Sequence, residues 1–150
     1  MFKEENVPLD YWRFIRLGGN KKSLKNRLSK KKDAGAKFIQ TQMVMEKENL
    51  IEFCEQISNP LDIPVIAGVF LLKSYKNALF INKYVPGANI PENILNRLKD
   101  AKEPLQEGIK IAAEQAHDFI NIANGVHLMA VKAEHLIPEI IEKADLSLEY

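Results

Sequence analysis

Two hydrophobic periods alternate along the chain. In "AGAKFIQTQMVME" (34–46) a turn is followed by a strand-like alternation, which sets Phe38, Gln40 and Gln42 on one face and Ile39, Thr41 and Met43 on the other. "KENLIEFCEQI" then changes to helical spacing, with Leu50, Ile51, Phe53, Cys54 and Ile57 apolar. "DIPVIAGVFLL" predicts a second strand, apolar on both faces as in a strand buried on both sides. "SYKNALFINKY" reads as a short helix capped by Ser74, "VPGANIP" as a turn, and "ENILNRLKDA" as a helix with Pro91 at its start. The clearest helical stripe is Leu105, Ile109, Ala112, Ala116, Phe119 and Ala123, with Gly125 as its stop. "VHLMAV" predicts a third strand, and "EHLIPEIIEKA" a closing helix whose regular part begins near Ile137 because Pro138 fits only a first turn.

Ahead of this regular part, residues 1–20 show no clean period and are expected to be irregular. Residues 21–32 are good helix formers with a narrow stripe made of Leu24 and Leu28. The predicted order is helix, strand, helix, strand, three helices, strand, helix. Alternation of this kind implies parallel strands joined by helical crossovers. Three strands make a small open sheet or part of a (β/α)₈ barrel, because a closed barrel needs eight strands and about 250 residues.

Composition narrows the function classes. With 150 residues, 46% of them hydrophobic, the chain can build one ordinary core. The net charge is only +1, although Arg13 to Lys37 is strongly basic, with Asp33 its single acid. That stretch lacks the interleaved aromatics of a nucleic-acid surface, so no nucleic-acid partner is expected. The longest apolar run, Ile63 to Leu72, is half of the roughly 20 residues a bilayer requires, and the N-terminus lacks the basic start and apolar core of a secretion signal. The single cysteine, Cys54, can form neither an internal disulfide nor a cysteine pair for a metal. These features predict a cytoplasmic protein with no membrane partner. No histidine and carboxylate pair has metal-ligand spacing, and neither a nucleophile elbow nor a phosphate loop is present.

Four fragments in register, "KKKDAGAKFIQTQ", "PVIAGVFLLKS", "NKYVPGANIP" and "GVHLMAVKAEH", together resemble the methylenetetrahydrofolate reductase family, from about Lys21 to Ala144. Each is a weak signal alone. The resemblance implies an α/β fold, a partial (β/α)₈ TIM barrel holding the sixth, seventh and eighth strands. It further implies an FAD-dependent reduction of 5,10-methylenetetrahydrofolate to 5-methyltetrahydrofolate. The first five strands and the acidic residues they carry have no counterpart here, so the isolated chain is expected to lack turnover and no catalytic residue is assigned.

The resemblance places Gln42 at the C-terminal end of its strand, where it approaches both folate and flavin. An amide suits such rings because it both donates and accepts. Gly68 and Lys73 are the other expected folate neighbours, although Gly68 equally suits close packing against backbone. Lys31 aligns with a lysine near the FAD phosphates, and Met129 stands where many members carry a tyrosine beside the flavin. The family's acidic and asparagine FAD contacts correspond to Leu24 and Arg27, so FAD binding by this chain alone is not expected. Gln40 reads as an interior filler, Ser74 as a helix cap, His127 as structural, and His117 and His135 as solvated. The alternative function is a non-catalytic module whose sheet edges pair with an N-terminal half or with a second copy, making a homo-oligomer.

Overall fold

Asn20 starts the first helix, because its Oδ1 accepts from the Ser23 N–H at 2.9 Å. In the computed structural model, which describes residue 17 and residues 19–146, this helix, α1 (Lys21–Asp33), ends in Lys30, Lys31 and Lys32, the charge that suits a helix C-terminus. It turns over Gly35 at φ 108° and leads to strand β1 (Ile39–Met43). Of the segment expected to be irregular, residues 1–16 and 18 lie outside the described residues.

Helix α2 (Lys47–Phe53) does not run straight on through Ile57 as its periodicity predicts. Residues Cys54–Ser58 form a π turn, followed by the short α3 (Asn59–Leu61) and a stop at Asp62 with φ 50°. The wider turn rotates the helix so that Phe53, Cys54, Ile57 and Ser58 all reach the core. Strand β2 (Val65–Phe70) leads to α4 (Tyr75–Tyr84), α5 (Glu92–Asp100) and α6 (Pro104–Ile120). Strand β3 (Gly125–Met129) and α7 (Ile137–Lys143) follow, with a 3₁₀ turn at Glu134–Leu136 before α7. Gly125 therefore opens β3 rather than stopping α6, which ends at Ile120.

The three strands form one parallel sheet in the order β1-β2-β3, joined by helical crossovers. This α/β arrangement is the one that three successive strands of a (β/α)₈ barrel possess. Ile39, Thr41, Val65, Ala67 and Val69 point to one face and are buried with Leu24, Leu28, Leu50, Phe53, Ile109, Phe119 and Ile140 from the helices. Each valine, leucine, isoleucine and phenylalanine among them contributes roughly 1.5–3 kcal/mol over leaving it in water. The opposite face carries Gln40, Ile66, Phe70, His127 and Met129, all only half-buried. The expectation that β2 is buried on both sides is thus met in full on one face only; on the other, Gly68 is buried while Ile66 and Phe70 stay half-buried.

A second core lies toward the C-terminal ends of the strands. Leu72, Ala78, Ile81, Ala88, Ile90, Ile94, Leu95, Leu98 and Ile111 bury one another there, with Met43, Met45 and Phe70 packed against them. The α6 stripe is also wider than its periodicity suggests. Gly108, Ile111, Ala113 and Gln115 join its buried side, whereas Leu105 stays 38% exposed.

Candidate functional site

Strand alternation breaks where the chemistry was expected. Gln40 pairs with Ile66, and the next pairing joins Met43 to Gly68, so β1 advances three residues while β2 advances two. The extra residue is a bulge at Thr41 and Gln42. Thr41 is fully buried, and its Oγ1 accepts from the Gly68 N–H at 3.0 Å while donating to Gln42 O at 2.8 Å. The ladder then resumes with Val44 N donating to Gly68 O at 2.9 Å.

Because of the bulge, the two glutamines expected on one face part company. Gln40 Nε2 reaches across the sheet to His127 Nδ1, with the imidazole nitrogen as acceptor. Gln42 Nε2 instead donates to Pro86 O at 3.4 Å, in the loop that follows α4. Its Oε1 is buried and has no partner. A buried amide oxygen left in that state costs about 1–3 kcal/mol, and a ligand donor can relieve the cost.

Gln42 lines an open cleft of about 470 Å³ together with Lys21, Met45, Glu52, Gly87 and Asn89 among others. Lys21 and Glu52 form an ion pair at this cleft. The loop on its other side is fastened by Asn82, which accepts from Ile90 N at 2.8 Å and donates to Ile90 O at 3.2 Å. Gly87 turns that loop with φ 81°. Amide, ammonium and carboxylate groups share this cleft with the apolar Met43, Val44 and Met45, a mixed lining that suits a ligand with both polar and apolar surface.

The other residues singled out in the sequence have different surroundings. Gly68 faces backbone: a Cβ there would sit 2.9 Å from both Thr41 O and Gln42 O. Lys73 Nζ donates to Val131 O at 3.0 Å and so ties the loop after β2 to the loop after β3. Ser74 caps α4 as expected, accepting from Asn77 N at 3.0 Å. Met129 pairs with Phe70 on the half-buried sheet face. Lys31 is half-buried near the C-terminal end of α1, and its carbonyl accepts from Ala36 N at 3.0 Å. Exposed His117 is not simply solvated, because its Nδ1 donates to Ala144 O at 3.0 Å.

Sequence reasoning missed Thr41, Lys21, Glu52 and Asn89 as site residues. The adjacent pair Thr41–Gln42 offered a signal for a bulge only in hindsight of its pairing with Gly68, and the other three come together through the fold. Among the described residues, no group of three His, Cys, Asp or Glu side chains could hold a metal ion, and no helix is long and apolar enough to cross a membrane.

Methylenetetrahydrofolate reductase 2 of Saccharomyces cerevisiae is 30% identical over 127 residues, covering 81% of this chain and 20% of the yeast protein. Methylenetetrahydrofolate reductase 2 of Schizosaccharomyces pombe is 31% identical over 133 residues, covering 79% of this chain and 20% of that protein. The chain thus spans about a fifth of the length of these relatives. A solved protein from Clostridium thermocellum, described as binding two copies of 5-methyl-5,6,7,8-tetrahydrofolic acid, shares the fold with a TM-score of 0.61. It is 20% identical, and the match covers 83% of this chain and 47% of that one. Residues 18–145 match the family described as methylenetetrahydrofolate reductase, and the chain belongs to that family.

Proposed function

We propose that this chain supplies one wall of a folate site in a methylenetetrahydrofolate reductase-like oxidoreductase that makes 5-methyltetrahydrofolate. The observation that carries this reading is the unpartnered, buried Oε1 of Gln42 beside the cleft. A pterin edge offers N–H donors to that oxygen and acceptors to the amide nitrogen, so one side chain reads both. The Clostridium thermocellum protein of the same fold, described as binding 5-methyl-5,6,7,8-tetrahydrofolic acid, supports folate as the ligand class. Gly68 then acts by letting the β1 backbone close, and Lys73 by holding the loop after β3, rather than by touching folate themselves.

FAD would supply the hydride chemistry in the complete family fold, and by resemblance Lys31 is the residue this chain offers to its phosphates, with Met129 at the position where many members carry a tyrosine beside the ring. The α1 residues nevertheless do not make a flavin cradle. Leu24, at a position where the family contacts FAD, is turned into the core with 3% exposure. We therefore assign this chain folate contacts and no step through the flavin.

Calorimetric titration of the full chain with 5-methyltetrahydrofolate tests the reading. Binding that weakens about five- to thirtyfold in Gln42→Ala is the expected result, since a hydrogen-bonded amide in a cleft contributes on the order of 1–2 kcal/mol. Unchanged binding in that variant removes Gln42 from the site.

A second reading is favoured by a different observation, the half-buried sheet face of Gln40, Ile66, His127 and Met129. Here the chain is a non-catalytic module that pairs with an N-terminal half or a second copy. Sedimentation together with the folate titration separates the readings: a dimer that takes up no 5-methyltetrahydrofolate argues for the module, whereas a monomer that binds 5-methyltetrahydrofolate rules it out.

A further inference from the structure

We propose that Thr41 is a positioning residue whose buried hydroxyl holds the β1 bulge and thereby aims the Gln42 amide at the cleft; the consequence for folate rests on the reading above. An extra residue in a strand ordinarily leaves ladder groups without partners. At this bulge one hydroxyl serves both the Gly68 N–H and the Gln42 backbone carbonyl, accepting from the first at 3.0 Å and donating to the second at 2.8 Å. With no solvent exposure at Thr41, water cannot replace it.

Gly68 completes the device from the facing strand. The volume that a side chain there would fill is taken by the carbonyl oxygens of Thr41 and Gln42, each 2.9 Å from the position of its Cβ. Hydroxyl and glycine therefore lock the backbone at 41–42 from two sides. In a regular strand, residue 42 would pair with Gly68 and share the direction of Gln40. With the bulge, Met43 takes that pairing, and Gln42 is released from the alternation to reach Pro86 O at 3.4 Å. Its side-chain oxygen, Oε1, is left buried and open to a donor. The aim of the amide is thus set by a threonine that does not line the cleft.

Valine has the shape of threonine and can neither accept nor donate, whereas serine can do both. The test uses nuclear Overhauser contacts from the Gln42 side-chain amide protons to Gly87 in the full chain, read without ligand. Wild type and Thr41→Ser are expected to show them, and Thr41→Val to lose them. Leu98→Ala, a buried truncation in the second core, controls for a general loss of stability and should keep them. If Thr41→Val does not fold, Gly68→Ala asks the same question by forcing the two carbonyls away. Persistence of the contact in Thr41→Val or Gly68→Ala, or its loss in Thr41→Ser or Leu98→Ala, overturns the proposal.

Titration with 5-methyltetrahydrofolate is the second readout. Affinity should fall about tenfold in Thr41→Val and return in Thr41→Ser, with Leu98→Ala close to wild type. A wild-type chain that shows the Gln42–Gly87 contact but takes up no 5-methyltetrahydrofolate overturns the folate reading and supports the aiming role by itself.

Discussion

At Gly108 the backbone of α6 passes so close to the segment after β2 that a Cβ would lie 1.8 Å from Leu72 O. Replacement by alanine forces helix and strand apart, and we expect Gly108→Ala to lower stability by about 1–3 kcal/mol. A shift of the denaturation midpoint with an unchanged slope is the measurement. Helix propensity points the other way, because alanine is the better helix former, so a stabilised variant would show that the close approach does not hold in solution. Cys54 illustrates a different limit on single residues. Burial pushes its thiol above the ordinary range, Glu55 adds to the effect, and a hydrogen bond with Ser58 opposes it. Since the neutral thiol is favoured in the folded state, its contribution is present below the unfolded thiol range and is lost as pH rises through the raised folded value. Iodoacetamide at mildly alkaline pH should therefore spare Cys54 in the native chain and modify it once urea has unfolded the protein. Gln42 was legible as a residue worth attention. Its orphaned oxygen was not, because partners are fixed by chain segments 44 positions away.

Elements were legible where their signals are local. Ser74 caps α4 with an oxygen three residues from the amide it satisfies, and Ser74→Ala should cost about 1 kcal/mol in thermal or denaturant unfolding. Proline positions set the starts of α6 and α7 in the same local way. The attachment of one helix to another was not legible. Arg97 on α5 donates from Nε to Glu107 at 2.7 Å and grips Glu114 with both terminal nitrogens, at 2.6 and 3.1 Å, both acids lying on α6. This fork holds its guanidinium charged, with Glu114 the stronger influence. Because the groups are partly in water, we expect Arg97→Met to cost only about 1 kcal/mol, with a loss that shrinks in high salt. A salt-independent loss would assign the effect to packing of the arginine stem instead. The π turn after α2 also escaped the periodicity, since one extra residue in a turn changes phase without changing which residue types are apolar.

On the scale of the whole molecule, the sheet has helices on one face and a second core at the strand ends, while the remaining face is half-buried. Within the sheet, β2 is hydrogen-bonded on both sides, and β1 and β3 are its edges. In dilute solution we expect β2 amides to exchange most slowly, with the outward-directed amides of β1 and β3 much faster. If association covers an edge, protection of that edge should rise with protein concentration, and the strand that gains it identifies the pairing surface. Protection independent of concentration would show that the edges are not used between copies.

Local pattern was enough to determine that this chain alternates parallel strands with helices, where most helices begin, and which fragments resemble a folate-reducing family. Those features depend on residues within a few positions of one another or on their order. The tertiary structure alone decided that Gln40 and Gln42 diverge, that Gly68 makes room for backbone, and that Lys73 fastens a loop. It also gathered Lys21, Glu52 and Asn89 around Gln42. The reason is register: a one-residue bulge redirects side chains through pairing with a strand 27 residues away, which no period along the sequence records.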